Sequence, residues 1–240
     1  INISVNEVGA HYAPYPGDGK IFKKGDIVKI DIGCHIDGHI ADNAATVEIG
    51  TKRQEKLIKA PEEALSIALK TVRPGVKVKD IGRNIKSVIE NAGFKPISNL
   101  TGHAIEPYTL HSGTSIPNVA RGSGVIEKGM VLAIEPFATN GKGKVKNGER
   151  SEIFKLENQR NLKGKDLEFY KWIEERFHHL PFTPRWCKEY GEDYRKRLSR
   201  LVRFRSAMVY PVLIEMKNGL ITQREHTCIV TSSGCKIITK

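Results

Sequence analysis

Two stretches of the chain carry the clearest hydrophobic patterning. Residues 26–36 are rich in Ile and Val, Asp37-Gly38 is a two-residue turn signal, and residues 39–49 return, which predicts a β-hairpin. Residues 210–216, the Asn218-Gly219 turn and residues 220–230 predict a second hairpin. Leu57, Ile58, Leu65, Ile67, Ala68 and Leu69 predict a helix over roughly 53–72, with a kink or fresh start at Pro61 and an end at Arg73-Pro74-Gly75. Ile81, Ile85, Val88 and Ile89 share one face of a second helix, about 79–92, which Gly93 stops. Residues 99–124, rich in Gly, Ser, Thr and His, read as loop with short strands. Residues 131–139 read as one strand and 140–148 as a turn. From 166 to about 204 the pattern is helical, with Phe169, Tyr170, Trp172, Phe177, Phe182 and Trp186. No linker divides the chain. The expectation is a single α/β domain (α+β in its mixture of elements) over 1–240, with a helical insertion at about 157–208.

Composition narrows the class. With 39% hydrophobic and 28% charged residues the chain has a globular balance, and no apolar run approaches membrane-helix length. Residues 1–10 lack the basic and apolar blocks of a leader, and the first residue is not Met, so a processed chain or a fragment is expected. Thirty-nine basic against 27 acidic residues leave +12, which favours encounters with polyanions at low salt. Cys34, Cys187, Cys228 and Cys235 form no C-x-x-C pair and no disulfide framework, and they suit a reducing cytoplasm.

The acids bring in chemistry. With Asp37-Gly38 central, Asp31 lies opposite Ala44 and Asp42 opposite Gly33, so the two carboxylates are diagonal neighbours on one strand face. They persist there if one is protonated, if Lys or Arg pairs with them, or if metal ions lie between them. In the second hairpin Glu225 falls opposite Val212 on a face shared with Ile214, Gln223 and Thr227, and Glu135 ends an apolar strand before Pro136. Lys24-Gly25-Asp26-Ile27-Val28-Lys29-Ile30-Asp31 is echoed by Lys128-Gly129-Met130-Val131-Leu132-Ala133-Ile134-Glu135, so an acid ends each copy, as an internal duplication would leave it. With His103 and His111, these acids supply what a dinuclear centre needs: four carboxylates come close to neutralising two divalent ions and a bridging hydroxide.

The order Asp31…Asp42, Gly102-His103, His111-x-Gly113, Ile134-Glu135-Pro136-Phe137 and Glu225-His226-Thr227 resembles the methionine aminopeptidases. Asn6-Glu7-x-x-Ala10-His11-Tyr12-x-Pro14, Leu180-Pro181-Phe182-x-x-Arg185-Trp186 and the helical insertion resemble the type 2 enzymes in their archaeal form. The resemblance spans essentially the whole chain. It implies the pita-bread (creatinase/aminopeptidase) fold with pseudo-twofold halves, and two divalent ions drawn from Co, Mn, Fe or Zn. Asp31 would bind one ion with both oxygens, Asp42 and Glu225 would bridge, and His103 and Glu135 would complete the second site. A metal-held hydroxide would then attack the first peptide bond of a nascent polypeptide and release methionine. The same resemblance implies that Glu135 moves the proton, that His111 binds the carbonyl oxygen, that His11 seats or protonates the scissile amide, and that Leu110, Ile153, Pro181 and Tyr210 line the methionine pocket. It further implies a cytoplasmic monomer, a possible ribosome contact, and neither membrane nor specific DNA as a partner.

Three departures mark this chain. Residues that precede the Asn2-Ile3-Ser4 segment in similar type 2 proteins are absent, Arg224 stands where Phe is usual, and Asn43 where Thr or Cys is usual. Alternation points Arg224 away from the face of Glu225. The rival readings are an Xaa-Pro peptidase on the same fold, and an inactive pita-bread protein that binds RNA, the ribosome or a protein partner. The basic run from Arg195 to Arg205 suits the latter, or simply a solvated helix face.

Overall fold

A computed structural model describes residues 1–149 and 152–239. Strands β1 (Asn2–Val5) and β2 (Val8–Ala10) lead into the hairpin of β3 (Ile27–Ile36) and β4 (His39–Glu48). Helices α1 (Glu55–Thr71) and α2 (Val78–Asn91) follow, then β5 (Lys95–Pro96) and a second hairpin, β6 (Thr101–Glu106) with β7 (Thr109–Pro117). Next come β8 (Val131–Ile134), β9 (Phe137–Thr139), β10 (Val145–Asn147) and β11 (Phe154–Leu156). Helix α3 (Gly164–Phe177), a 3-10 turn (Pro184–Tyr190) and α4 (Tyr194–Arg203) precede β12 (Ala207–Val209), β13 (Leu213–Glu215), β14 (Ile221–Gln223), β15 (His226–Val230) and β16 (Cys235–Ile237). Among the described residues the largest sheet has the order β16-β15-β8-β6-β7, beside three-stranded sheets β1-β3-β4, β14-β9-β5 and β10-β13-β2 and the pair β11-β12.

The first hairpin has the register its Asp-Gly turn dictates, with Asp31 opposite Ala44 and Gly33 opposite Asp42. Helices α1 and α2 cover the sheets through Leu57, Ala64, Ala68, Ile81, Ile85 and Ile89, packed on Ile116, Leu132 and Ile134. Helix α1 continues through Pro61 as one element. A proline there leaves the carbonyl one turn earlier without its helical donor. That carbonyl, of Leu57, accepts the Thr222 hydroxyl at 2.8 Å instead. The segment around α3 and α4 has a core of its own, built on Leu156, Phe169, Ile173, Phe182, Leu198 and Leu201. The internal echo is visible in the backbone: Gly25 (φ 93°) and Gly129 (φ 89°) take the same left-handed turn before β3 and β8, a conformation that glycine alone enters freely.

Four expectations are corrected. Residues 99–124, read as loop with short strands, hold a long hairpin, because β6 and β7 pair with a register shift at His103/Ala104 that interrupts simple alternation. The strand expected over 131–139 is cut at Glu135-Pro136, where proline offers no N–H to the ladder. Within 140–148, β10 pairs with β13. The hairpin expected over 210–230 does not form: β13 pairs with β10 and β2, β14 with β9, and β15 with β8 and β16. Glu225 therefore lies between β14 and β15, its N–H donating to the Ala44 carbonyl at 3.0 Å, and not opposite Val212.

Candidate active site

The turn at Asp37-Gly38 brings Asp31 and Asp42 to one face of the first hairpin, and β6 delivers His103 beside them. Gly102 makes that approach possible, since a Cβ there would sit 2.3 Å from the Ala133 carbonyl oxygen. Glu135 and Glu225 come from the two places where strands change sheet. β8 pairs with β15 so that Ile134 faces His226, and β9 pairs with β14 so that Phe137 faces Gln223. The same register carried across the gap sets Glu135 opposite Glu225 and Pro136 opposite Arg224. Like charges directly opposed in an antiparallel pair repel.

One cavity of about 630 Å³ collects all of these groups. Asp31, Asp42, His103, Glu135 and Glu225 line it, as do His11, His111, Leu110, Ile153, Pro181 and Tyr210. Donor atoms of Asp42, His103 and Glu225 all lie within 4.8 Å of one another. His103 Nε2 is 3.6 Å from Glu135 Oε1 and 3.9 Å from Asp42 Oδ2. Arg224 points away, into a groove with Leu65, Leu69, Lys70, His226 and Cys235.

Burial dominates the electrostatics. Asp31 is pushed up to about 7 by burial and then by the charge of Asp42, and burial raises Asp42 to about 6. Glu135 and Glu225 are lifted well above the ordinary carboxylate range by burial and then by the neighbouring acids. Burial lowers His103 to about 4, and burial followed by the other imidazoles lowers His111 to about 3. His103 thus meets the acids as a neutral imidazole, not as a cationic partner.

No Lys or Arg pairs with any of the four acids among the described residues. What meets them is the Gln223 amide, 3.4 Å from Asp31 Oδ2, 3.4 Å from Glu135 Oε2 and 3.5 Å from Glu225 Oε2. Two amide hydrogens at that range cannot satisfy three carboxylates, and buried Glu225 Oε1 has no partner. Oxygen and imidazole donors crowded into a buried, cation-poor space fit divalent metal ions.

Supporting contacts come from Thr227, which belongs to the Glu225-His226-Thr227 motif, and from Asn118, which no motif singles out. Thr227 Oγ1 accepts from the Asp42 N–H at 2.8 Å and donates to the Asp42 carbonyl at 2.7 Å. Asn118 spans the break after β8, its amide nitrogen 3.3 Å from the Glu135 carbonyl and its oxygen accepting from the Phe137 N–H at 2.9 Å. Alternation puts Gln223 and Thr227 on the face of Glu225, and for Gln223 it is the one signal in the sequence. His11 adopts φ 66°, an unusual conformation for a non-glycine residue, and its Nδ1 lies 3.0 Å from the Pro211 carbonyl oxygen. Arg185 ties its own segment to that of His11 through the Pro14 carbonyl at 3.1 Å.

The model of metallopeptidase family M24 matches residues 1–169. A methionine aminopeptidase of Archaeoglobus fulgidus is 48% identical over 241 residues, covering 100% of this chain and 81% of that protein. Among solved structures, a methionine aminopeptidase of Thermotoga maritima is similar with TM-score 0.69 and 25% identity, over 100% of this chain and 73% of that one. A thermophilic Arx1 reaches TM-score 0.86 at 20% identity, over 99% and 74%. The chain belongs to metallopeptidase family M24. Its architecture is the pita-bread fold.

Proposed function

We propose that this chain removes methionine from the N-termini of nascent polypeptides, as a type 2 methionine aminopeptidase of the archaeal form acting with two divalent cations. It is a metalloaminopeptidase. The observation that carries the finer reading is the single cavity in which five potential ligands, His11, His111 and an apolar lining meet. Asp31, Asp42, His103, Glu135 and Glu225 would hold the cations, drawn from Co, Mn, Fe or Zn. When bound, such ions supply Lewis acidity to the scissile carbonyl and acidify water.

The chain's own groups do the rest. His111 hydrogen-bonds the carbonyl oxygen as charge develops, and His11 seats the scissile amide. Glu135, which burial leaves with a raised affinity for protons, carries one to the leaving amine. Leu110, Ile153, Pro181 and Tyr210 enclose the methionine side chain and keep water from it. The molecule acts as one monomeric domain over 1–240 with an insertion at 157–208, a division supported by the separate core around α3 and α4. The four free cysteines suit a cytoplasmic location, and no helix among the described residues is long and apolar enough to cross a membrane.

Met-Ala-Ser should release methionine when Mn²⁺ or Co²⁺ is added, and should be stable when chelator is present. Asp42→Ala should abolish release. Turnover that survives in Asp42→Ala would remove Asp42 from the centre. No release by the metal-loaded chain with Asp42 intact would remove the aminopeptidase reading.

A further inference from the structure

His11 and His111 both line the cavity, and each has its Nδ1 engaged by the protein, but by groups of opposite character. The partner of His11 Nδ1 is the Pro211 carbonyl oxygen, at 3.0 Å. A carbonyl can only accept, so the imidazole proton sits on Nδ1 and Nε2 keeps a lone pair. The partner of His111 Nδ1 is the Tyr210 hydroxyl, at 3.3 Å. That hydroxyl has a proton to give, and His111 is its one hydrogen-bond partner among the described residues. Donation puts the lone pair of His111 on Nδ1 and its N–H on Nε2. In the reverse arrangement the phenol proton gives up its protein acceptor and turns to solvent or a bound substrate.

We propose that the adjacent residues Tyr210 and Pro211 are positioning residues that hold the two cavity histidines in opposite tautomers, His11 accepting at Nε2 and His111 donating at Nε2. The Tyr210 ring reinforces the arrangement by lying against both imidazoles, 5.2 Å from His11 at 77° and 5.7 Å from His111 at 34°. Its backbone is fixed on both sides: the Tyr210 N–H donates to the Ile153 carbonyl at 2.9 Å, and Leu213 pairs with Ala10 next to His11. One acceptor beside one donor is the complement of a peptide unit, whose N–H and C=O need the two opposite partners. This deepens the proposed peptidase function and rests on it. It adds the control of His111 to the place of Tyr210 in the pocket lining.

Histidine ¹⁵N and ¹³C resonances distinguish the two neutral tautomers. They would be recorded at pH 8, where an ordinary imidazole is neutral, in metal-free and zinc-loaded protein. His11→Gln and His111→Gln variants would provide the assignments. His11 should carry its proton on Nδ1 and His111 on Nε2. Tyr210→Phe should move His111 toward a mixture while His11 stays as it was. The same variant should lower kcat on Met-Ala-Ser about tenfold with KM within about twofold. A proton on Nδ1 of His111 in the unaltered chain overturns the proposal without need of any variant, as does an unchanged His111 signal in Tyr210→Phe. Opposed tautomers in a chain that releases no methionine would end the aminopeptidase reading and leave this one standing. Methionine release with like tautomers would do the reverse.

Discussion

Asp42 is held at both its carboxylate and its backbone: the carboxylate faces His103, and Thr227 grips the backbone from both sides. Its protons matter as much as its position. Asp31 and Asp42 are raised to about 7 and about 6 by burial. The folded, metal-free chain thus binds more protons than the unfolded chain between roughly pH 4 and pH 7. Stability from these two groups therefore falls as pH rises through that window, and a divalent cation must displace protons at its lower end. The increase in Tm on adding Mn²⁺ at about a hundredfold its Kd should be small at pH 5 and should grow by pH 7.5. There it should approach about 2.7 kcal/mol, or roughly 5–10 °C. A pH-independent increment by differential scanning calorimetry would separate the cation from these acids. Asp31 and Asp42 could be paired from the sequence because a two-residue turn fixes their register. Gln223 and Thr227 could not be assigned a role, because Asp31, Asp42 and Glu135, which they touch, are far away along the chain.

At the scale of elements, two turn signals of equal strength had different outcomes. Asp37-Gly38 closes a hairpin with ten-residue strands on each side. Asn218-Gly219 makes a turn with Asn218 at φ 56°, yet its flanks join different sheets. The buried Glu215 carboxylate explains the divergence. It accepts from the N–H groups of Lys142, Gly143, Lys217 and Gly219, tying the turn to the 140–143 loop rather than letting its strands pair. Dipeptide chemistry reports a reversal of direction, not which strand lies beside which. Helix α2 offers a test of close packing with an inverted sign. Gly82→Ala would raise helix propensity by about 1 kcal/mol in isolation. Here its Cβ would fall 2.2 Å from the Val119 carbonyl oxygen, so the variant should lose roughly 1–3 kcal/mol in urea denaturation. A gain in stability would show that the loop after β7 can yield.

For the whole molecule, the excess of +12 is not spread as the basic run in α4 suggests. Arg197 pairs with Asp193 and Asp166, Arg200 with Asp166, and Arg195 with Glu152. Lys196, Arg203 and Arg205 are exposed and have no ion-pair partner among the described residues. If this face meets ribosomal RNA, Lys196→Gln and Arg203→Gln should each reduce the slope of log K against log salt by about 0.7 to 0.9. Arg197→Gln should chiefly destabilise the helix. Equal slopes for all variants would take α4 out of any such contact. The Lys-Gly echo hinted at an internal duplication, and the structure gives it a physical basis in the left-handed glycine before β3 and before β8. The separate core around α3 and α4 was legible only as helix, since its aromatic contacts span many turns of chain.

The paired breaks at Glu135-Pro136 and Arg224-Glu225 also bear on how the molecule breathes. Two carboxylates face each other across this gap, where a single long bond, from the Arg224 N–H to the Pro136 carbonyl at 3.3 Å, links the strands. Amide hydrogen exchange in chelator should be faster at Arg224 than in β6 and β8, and Mn²⁺ should slow it. The bound ions would then serve as rivets between the two sheets as well as reagents.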